Sequence, residues 1–315
     1  CRQRKHYPII GNCSQLSSRT GTIASHHWAR EKTLTLKLIP RVAAVPVILF
    51  VLALFVESRM PLSAEEGTQR GWFGRGRSDI MSSSALPIEN IPQTGEFIFL
   101  RVRFDEAYTS YGGYEWGLDM GWNHDYPRAE HNITMMLGEL TNIPVTIDFR
   151  GGNILSFSEP EIFDYPFVYI SEPAYWVWSD EEVLRLRNYL LKGGFIMVDD
   201  MQSDDTEAFY RIMNQAIPNT QFEILDTTHP IFNCFFQITP EDILNQYYRA
   251  RYNGNPVIYG VYEDNDPGKR LMAVINHNQD IGESWEFANT GYVPVEQANN
   301  SYKIGMNYII CSMLH

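Results

Sequence analysis

The sequence predicts an α/β fold with a mostly parallel sheet, and three observations carry that prediction. From Glu96 onward short apolar runs alternate with amphipathic segments, the pattern of strands and helices taking turns. Residues 167–198 hold a complete strand–helix–strand unit, which implies a parallel pair joined by a right-handed crossover. Of the 315 residues 44% are hydrophobic, enough for a packed core.

The elements follow in order. Residues 97–102 form a first strand, and 128–140 a helix with Ile133, Met136, Leu137 and Leu140 on one face. Residues 145–149 read as a second strand and 167–170 as a third. Ser179 and Glu182 have the spacing of a capping box, in which each side chain satisfies a free backbone N–H at the helix start. Val183, Leu186 and Leu190 then line one face, Gly193-Gly194 ends the helix, and residues 195–198 follow at once as a strand. Further strands are predicted at 222–225, 257–262 and 271–275, with a closing helix over 295–313.

Charge divides the chain. Residues 1–64 hold 9 Lys/Arg against 2 Asp/Glu, and the remainder 16 against 36. So acidic a body repels phosphate backbones, which argues against nucleic acid as a partner; the same charge could serve solubility alone. Residues 1–36 read as an upstream or non-structural segment. Lys37 and Arg41 precede 15 uncharged residues, 42–56, the layout of a secretory signal; the stretch is short of the roughly 20 apolar residues of a membrane span. Residues 37–64 are therefore expected to be a signal peptide with a cut near Leu62-Ser63-Ala64, or, uncleaved, a membrane anchor. The domain is expected outside the cytoplasm, periplasmic or anchored to the inner membrane. Residues 65–94, rich in Gly, Ser and Pro, read as a flexible linker to a single domain over 95–315. Cys234 and Cys311 lie in that domain without a CxxC pair; two buried thiols are favoured over a disulfide.

In an open parallel sheet, ligands meet the C-terminal strand ends. Those positions here are polar: His124 and Asp125 in the loop after the first strand, Glu172 after the third, Asp199 and Asp200 after the fourth, and Asp226 with His229 after the fifth. Asn276, His277 and Asp280 follow the last strand, with Trp285 and Glu286 beyond them. Carboxylates, imidazoles and amides so placed could hold a divalent metal or a polyhydroxyl ligand, with Tyr and Trp rings stacking on a sugar face. If the domain is an enzyme, Asp200 or Glu172 would be the general base, and His229 or His277 a proton donor or metal ligand. Each residue also has a bland reading. Asp125 and Asp199-Asp200 could simply start helices, and His124 and His229 could be structural hydrogen-bonding groups. The aromatic loop from Tyr108 to Trp122 could instead be a protein-binding surface of an envelope scaffold. The sequence contains no GxSxG elbow, phosphate loop, GxGxxG or HExxH.

These segments resemble the bacterial domain of unknown function 4159 family. The resemblance rests on residues 97–104, His124-Asp125-Tyr126-Pro127-Arg128-Ala129-Glu130, Leu190-Leu191-Lys192-Gly193-Gly194-Phe195 and the run from His229 to Phe236. Asn276-His277-Asn278 with Asp280, Trp285-Glu286 and residues 305–310 complete it. It implies a flavodoxin-like three-layer α/β/α sandwich similar to class I glutamine amidotransferases and trehalose-utilisation-like proteins. Amidotransferases need a Cys after the strand at 195–198; Asp199-Asp200 stands there instead, so glutaminase activity is not expected. The trehalose-utilisation-like relatives point to a carbohydrate or other polar small molecule as ligand.

Overall fold

The structure, a computed structural model, describes residues 89–106 and 121–314, apart from positions 245 and 253. The predicted upstream segment, the signal or anchor, most of the linker and residues 107–120 of the aromatic loop lie outside these. Among the described residues no helix is long and apolar enough to cross a membrane.

Seven strands make one sheet: β1 (Leu100–Val102), β2 (Asn153–Leu155), β3 (Phe167–Ser171), β4 (Phe195–Met201), β5 (Glu223–Ile224), β6 (Val257–Tyr262) and β7 (Leu271–His277). They lie in the order β2-β1-β3-β4-β7-β6-β5. The five from β2 to β7 in that order run parallel, while β6 is antiparallel to both its neighbours. The sheet is thus mostly parallel, as predicted, with an antiparallel edge that hydrophobic periodicity does not encode.

The alternation of side chains along each strand divides the core in two. Leu100, Val102, Val168, Ile170, Ile196 and Val198 face one cluster, and Phe99, Phe167, Tyr169, Phe195 and Met197 the other. Helices α1 (Arg128–Leu140), α2 (Asp180–Leu191), α3 (Asp205–Ala216), α4 (Pro240–Ile243) and α5 (Gln246–Tyr252) lie between strands, and α6 (Ile281–Glu286) and α7 (Val295–Leu314) follow β7. α2 and α3 pack on the first cluster; α1, α6 and α7 pack on the second. Both faces are covered, which is why the central strands are apolar over most of their length, with polar residues gathered mainly at their C-terminal ends.

The capping box at Ser179 is complete, with Glu182 N–H donating to Ser179 Oγ and Ser179 N–H to Glu182. Gly193 follows α2 at φ 101°, a conformation open to glycine at little cost. It turns the chain straight into β4.

Four expectations are corrected. Residues 145–149 are not a strand: only Val145 bridges to Phe97, and Phe149 is 81% exposed. The second strand is Asn153–Leu155, too short to show alternation. Asp199 and Asp200 do not follow β4 but belong to it, and neither starts a helix; Asp125 does precede α1, its carbonyl accepting from Ala129 N–H. Cys234 and Cys311 form a disulfide, with Cα atoms 6.3 Å apart, tying the segment after β5 to α7. Finally, the end of the supposed linker is held. The side-chain amide of Asn90 donates to Ile154 O at 2.9 Å and accepts from Ile154 N–H at 2.9 Å, and Asn153 exchanges a similar pair with the backbone of Ile91.

Candidate functional site

Parallel packing of β3, β4 and β7 brings three strand ends side by side, with Ser171 opposite Asp199 and Met201 opposite His277. The β4–β7 register shifts between Val198 and Met201, and Asp200 sits at φ 52°. Such a bulge re-aims side chains that would otherwise alternate. Asp199 and Asp200 consequently enter two different networks at one end of the sheet.

Asp199 is fully buried and fully bonded. Tyr169 Oη donates to it at 3.1 Å, Gly282 N–H at 2.7 Å and the Asn276 amide at 2.9 Å, while Tyr308 Oη donates to Asn276 at 3.2 Å. Below Tyr169 lies Arg101, completely buried, its guanidinium 4.6 Å from the ring centroid and paired with Glu130 of α1. Arg101 also donates to Trp122 O at 2.9 Å, anchoring the loop that delivers His124.

Above this floor, His124 Nδ1 lies 3.1 Å from Asp200 Oδ2 and 3.7 Å from Glu172 Oε1, and Tyr252 Oη donates to Asp200 Oδ1 at 3.0 Å. The His124 side chain is 37% exposed and Glu172 24%, so this mouth opens to solvent. Two more carboxylates lie deeper. Asp280 is fully buried; its Oδ1 caps α6 by accepting Glu283 N–H, its Oδ2 accepts no hydrogen bond, and Arg251 Nη2 stands 3.7 Å away. Neither oxygen of Asp125 accepts a hydrogen bond. Asp125 lies against Gly282, where a Cβ would come within 2.6 Å of its Oδ2 and 2.5 Å of Tyr169 Oη. Only glycine fits there. Asp125, Glu172 and Asp200 all have positive φ, at 65°, 45° and 52°, a costly backbone that clusters at functional sites.

Burial and charge separate these groups. The hydrogen bond that His124 donates to Asp200, with the nearby carboxylates and against the opposing effect of burial, pushes His124 up to about 10. Burial, reinforced by the charge of Asp200, pushes Glu172 up to about 9. Burial also works against ionisation of Asp200, but His124, Glu172 and Tyr252 outweigh it and hold that carboxyl below its ordinary value. Burial raises Asp199 to about 6, and raises Asp125 and Asp280 well above the usual range. These shifts all run in the direction that favours an ion pair between His124 and Asp200 beside a protonated Glu172.

Of the residues singled out in the sequence, His124, Asp125, Glu172, Asp200 and Asp280 converge. Asp199 and Asn276 lie beneath them in the bonded floor. Glu286 lies at the rim, 3.9 Å from Arg128. His277 hydrogen-bonds Thr206 of α3 at 2.8 Å rather than the His124 group. His229 accepts Ile231 N–H at the start of a 3₁₀ turn, beyond β5. With β5 three strands from β4, that is about 14 Å at the usual strand spacing, too far for direct proton transfer with Asp200. Trp285 is buried against Phe99 and Gly305 and offers no ring to a ligand. Tyr252, Arg251 and Tyr169 were not anticipated. The first two ride on α5, which has no clear sequence signature; Arg101, a charge inside an apolar strand, was the one available signal.

Chemically, the mouth can accept hydrogen bonds from hydroxyl groups, exchange a proton, or coordinate a cation. His124, Asp200 and Asp280 each offer one ligand atom, all within 4.8 Å of one another. No curated protein matches the chain. A family model described as a domain of unknown function, DUF4159, matches residues 106–313. That span is about two thirds of the chain and takes in His124, Asp125, Glu172, Asp200 and Asp280, so the chain belongs to the DUF4159 family.

Proposed function

We propose that the domain binds a polar, hydroxyl-bearing small molecule, of carbohydrate type, at the C-terminal ends of β3, β4 and β7. In this reading the fold is the flavodoxin-like three-layer sandwich of amidotransferase-like proteins, with Asp199-Asp200 where a nucleophilic Cys would stand. The observation that carries it is the pair of buried carboxylates, Asp125 and Asp280, with oxygens that accept no hydrogen bond beneath a half-open mouth. Buried acceptors normally find donors, and sugar hydroxyls would supply them. The negative surroundings disfavour phosphorylated ligands and nucleic acid alike.

The disulfide supports a place outside the cytoplasm, since such bonds persist in oxidising compartments. Delivery there by residues 37–64, as a cleaved signal or an anchor, is part of the same proposal.

A second reading, a hydrolase or isomerase acting on carbohydrate, is favoured by one observation. Glu172 is held protonated while Asp200 beside it is held ionised, the division of labour of a general acid and a general base. The scaffold reading is weaker, because Trp122 of its aromatic loop is buried.

The test is thermal stability of the full chain across a panel of neutral sugars and polyols. At least one should raise Tm by several degrees in the wild type and not in Asp125→Asn or Asp200→Asn, because a ligand bound to the folded state stabilises it by mass action. A panel that shifts neither wild type nor variants overturns the proposal.

A further inference from the structure

We propose that His124, Asp200 and Asp280 hold a divalent cation of the first transition row, Mn2+ or Zn2+ in chemical class, within the strand-end mouth. The inference deepens the ligand-binding reading and rests on it: the cation would be the point to which ligand hydroxyls attach.

Geometry comes first. The three donor atoms lie within 4.8 Å of one another, while ligands about 2.1 Å from a metal stand roughly 3 to 4 Å apart. Even a pair at that limit need close by only about an ångström. His124, on a loop and 37% exposed, has the freedom to make that adjustment, whereas Asp200 and Asp280 are fixed by β4 and by the cap of α6. The second observation is Asp280 Oδ2, buried with no hydrogen bond. Its nearest cationic group, Arg251, makes only a long ion pair with it, Nη2 standing 3.7 Å away while Nη1 donates to Glu283. Asp125, whose oxygens accept no hydrogen bond and whose carboxyl meets Glu286, stands beside the same group. Charge also balances once the cation displaces the protons of His124 and Asp280 to solvent: two carboxylates and a neutral imidazole make a divalent ion neutral overall. One imidazole with carboxylates suits Mn2+ or Zn2+; Ca2+ takes six to eight oxygens, and Mg2+ prefers oxygen and its own waters.

The experiment is calorimetric titration of the full chain, stripped with chelator and dialysed, with the chlorides of Mn2+, Zn2+, Mg2+ and Ca2+. Wild type is expected to bind one equivalent of Mn2+ or Zn2+ more tightly than Mg2+ or Ca2+. Affinity should fall at least tenfold in Asp280→Asn, whose amide oxygen can still cap α6, and in His124→Gln, which alters only the half-exposed loop. Asp164→Asn, an exposed carboxylate elsewhere, should bind as wild type. Circular dichroism identifies a variant that fails to fold, and the other then decides. No binding by wild type, or equal binding by both variants, overturns the cation. The two proposals fail separately. A sugar-induced shift that survives chelator and Asp280→Asn sinks the cation alone, and cation binding without any sugar response sinks the sugar alone.

Discussion

Around Asp199 every carboxylate oxygen has a donor, supplied by two side chains and one backbone N–H from three elements. Around Asp125 and Asp280 three buried oxygens accept no hydrogen bond. The two regions share a sheet end and a similar burial, so solvent access does not separate them. A buried group left unbonded costs about 1–3 kcal/mol, and each non-glycine residue in the left-handed region adds about 1–3 kcal/mol. The floor is what stability asks of buried carboxyls. The mouth carries costs that stability alone would remove, which is the physical ground for proposing a ligand there.

That contrast can be broken by mutation. The largest effect is expected below the floor: Glu130→Ala leaves Arg101 charged, buried and unpaired, and should cost about 3–5 kcal/mol in chemical denaturation. Asp199→Ala should cost about 3 kcal/mol, because Tyr169, Asn276 and Gly282 lose their acceptor together. An Asp199→Ala protein as stable as wild type would erase the distinction. At the mouth the expected response is to pH. His124 is raised from 6.5 to about 10 and Glu172 from 4.5 to about 9. Their contributions are full below those ordinary values and are lost as pH rises through the folded ones. Asp200, shifted downward, contributes above its ordinary value and loses that in acid. In chelator, Tm should therefore fall between pH 7 and 10, and His124→Gln should flatten that fall. A floor variant that still folds should keep the slope. The smallest effect has the opposite sign: Glu172→Gly relieves φ 45° and should add about 1 kcal/mol while abolishing ligand binding. Loss of stability there would mean that Glu172 serves packing.

Elements with a local grammar were legible in the sequence. The capping box at Ser179 and the periodic runs at 128–140 and 295–313 gave helix bounds within a residue or so of α1, α2 and α7. Strands buried on both faces showed as apolar runs. Thr146 and Asp148 alternate with apolar neighbours and so mimic a strand at 145–149, yet pairing depends on β1, which local pattern cannot see. α3 was missed although Phe209, Ile212, Met213 and Ala216 share a face. Of the site, the strand-end rule found His124, Asp125, Glu172, Asp200 and Asp280. It could not rank them against His229 and His277, because sheet order decides which strand ends adjoin. Tyr252 reaches Asp200 from 52 residues away through a helix whose place only the fold supplies.

The hold of Asn90 and Asn153 on the sheet has a consequence for where the domain starts. β2 is an outer strand, and its outward N–H and C=O at Ile154 are met by a single side-chain amide that imitates one residue of a further strand. Bare strand borders template pairing between chains. A truncated protein beginning at Glu96 would expose that border and self-associate, whereas one keeping residue 89 onward would stay monodisperse. The asparagine acts as a stopper, and its removal turns a folding unit into a seed for aggregation.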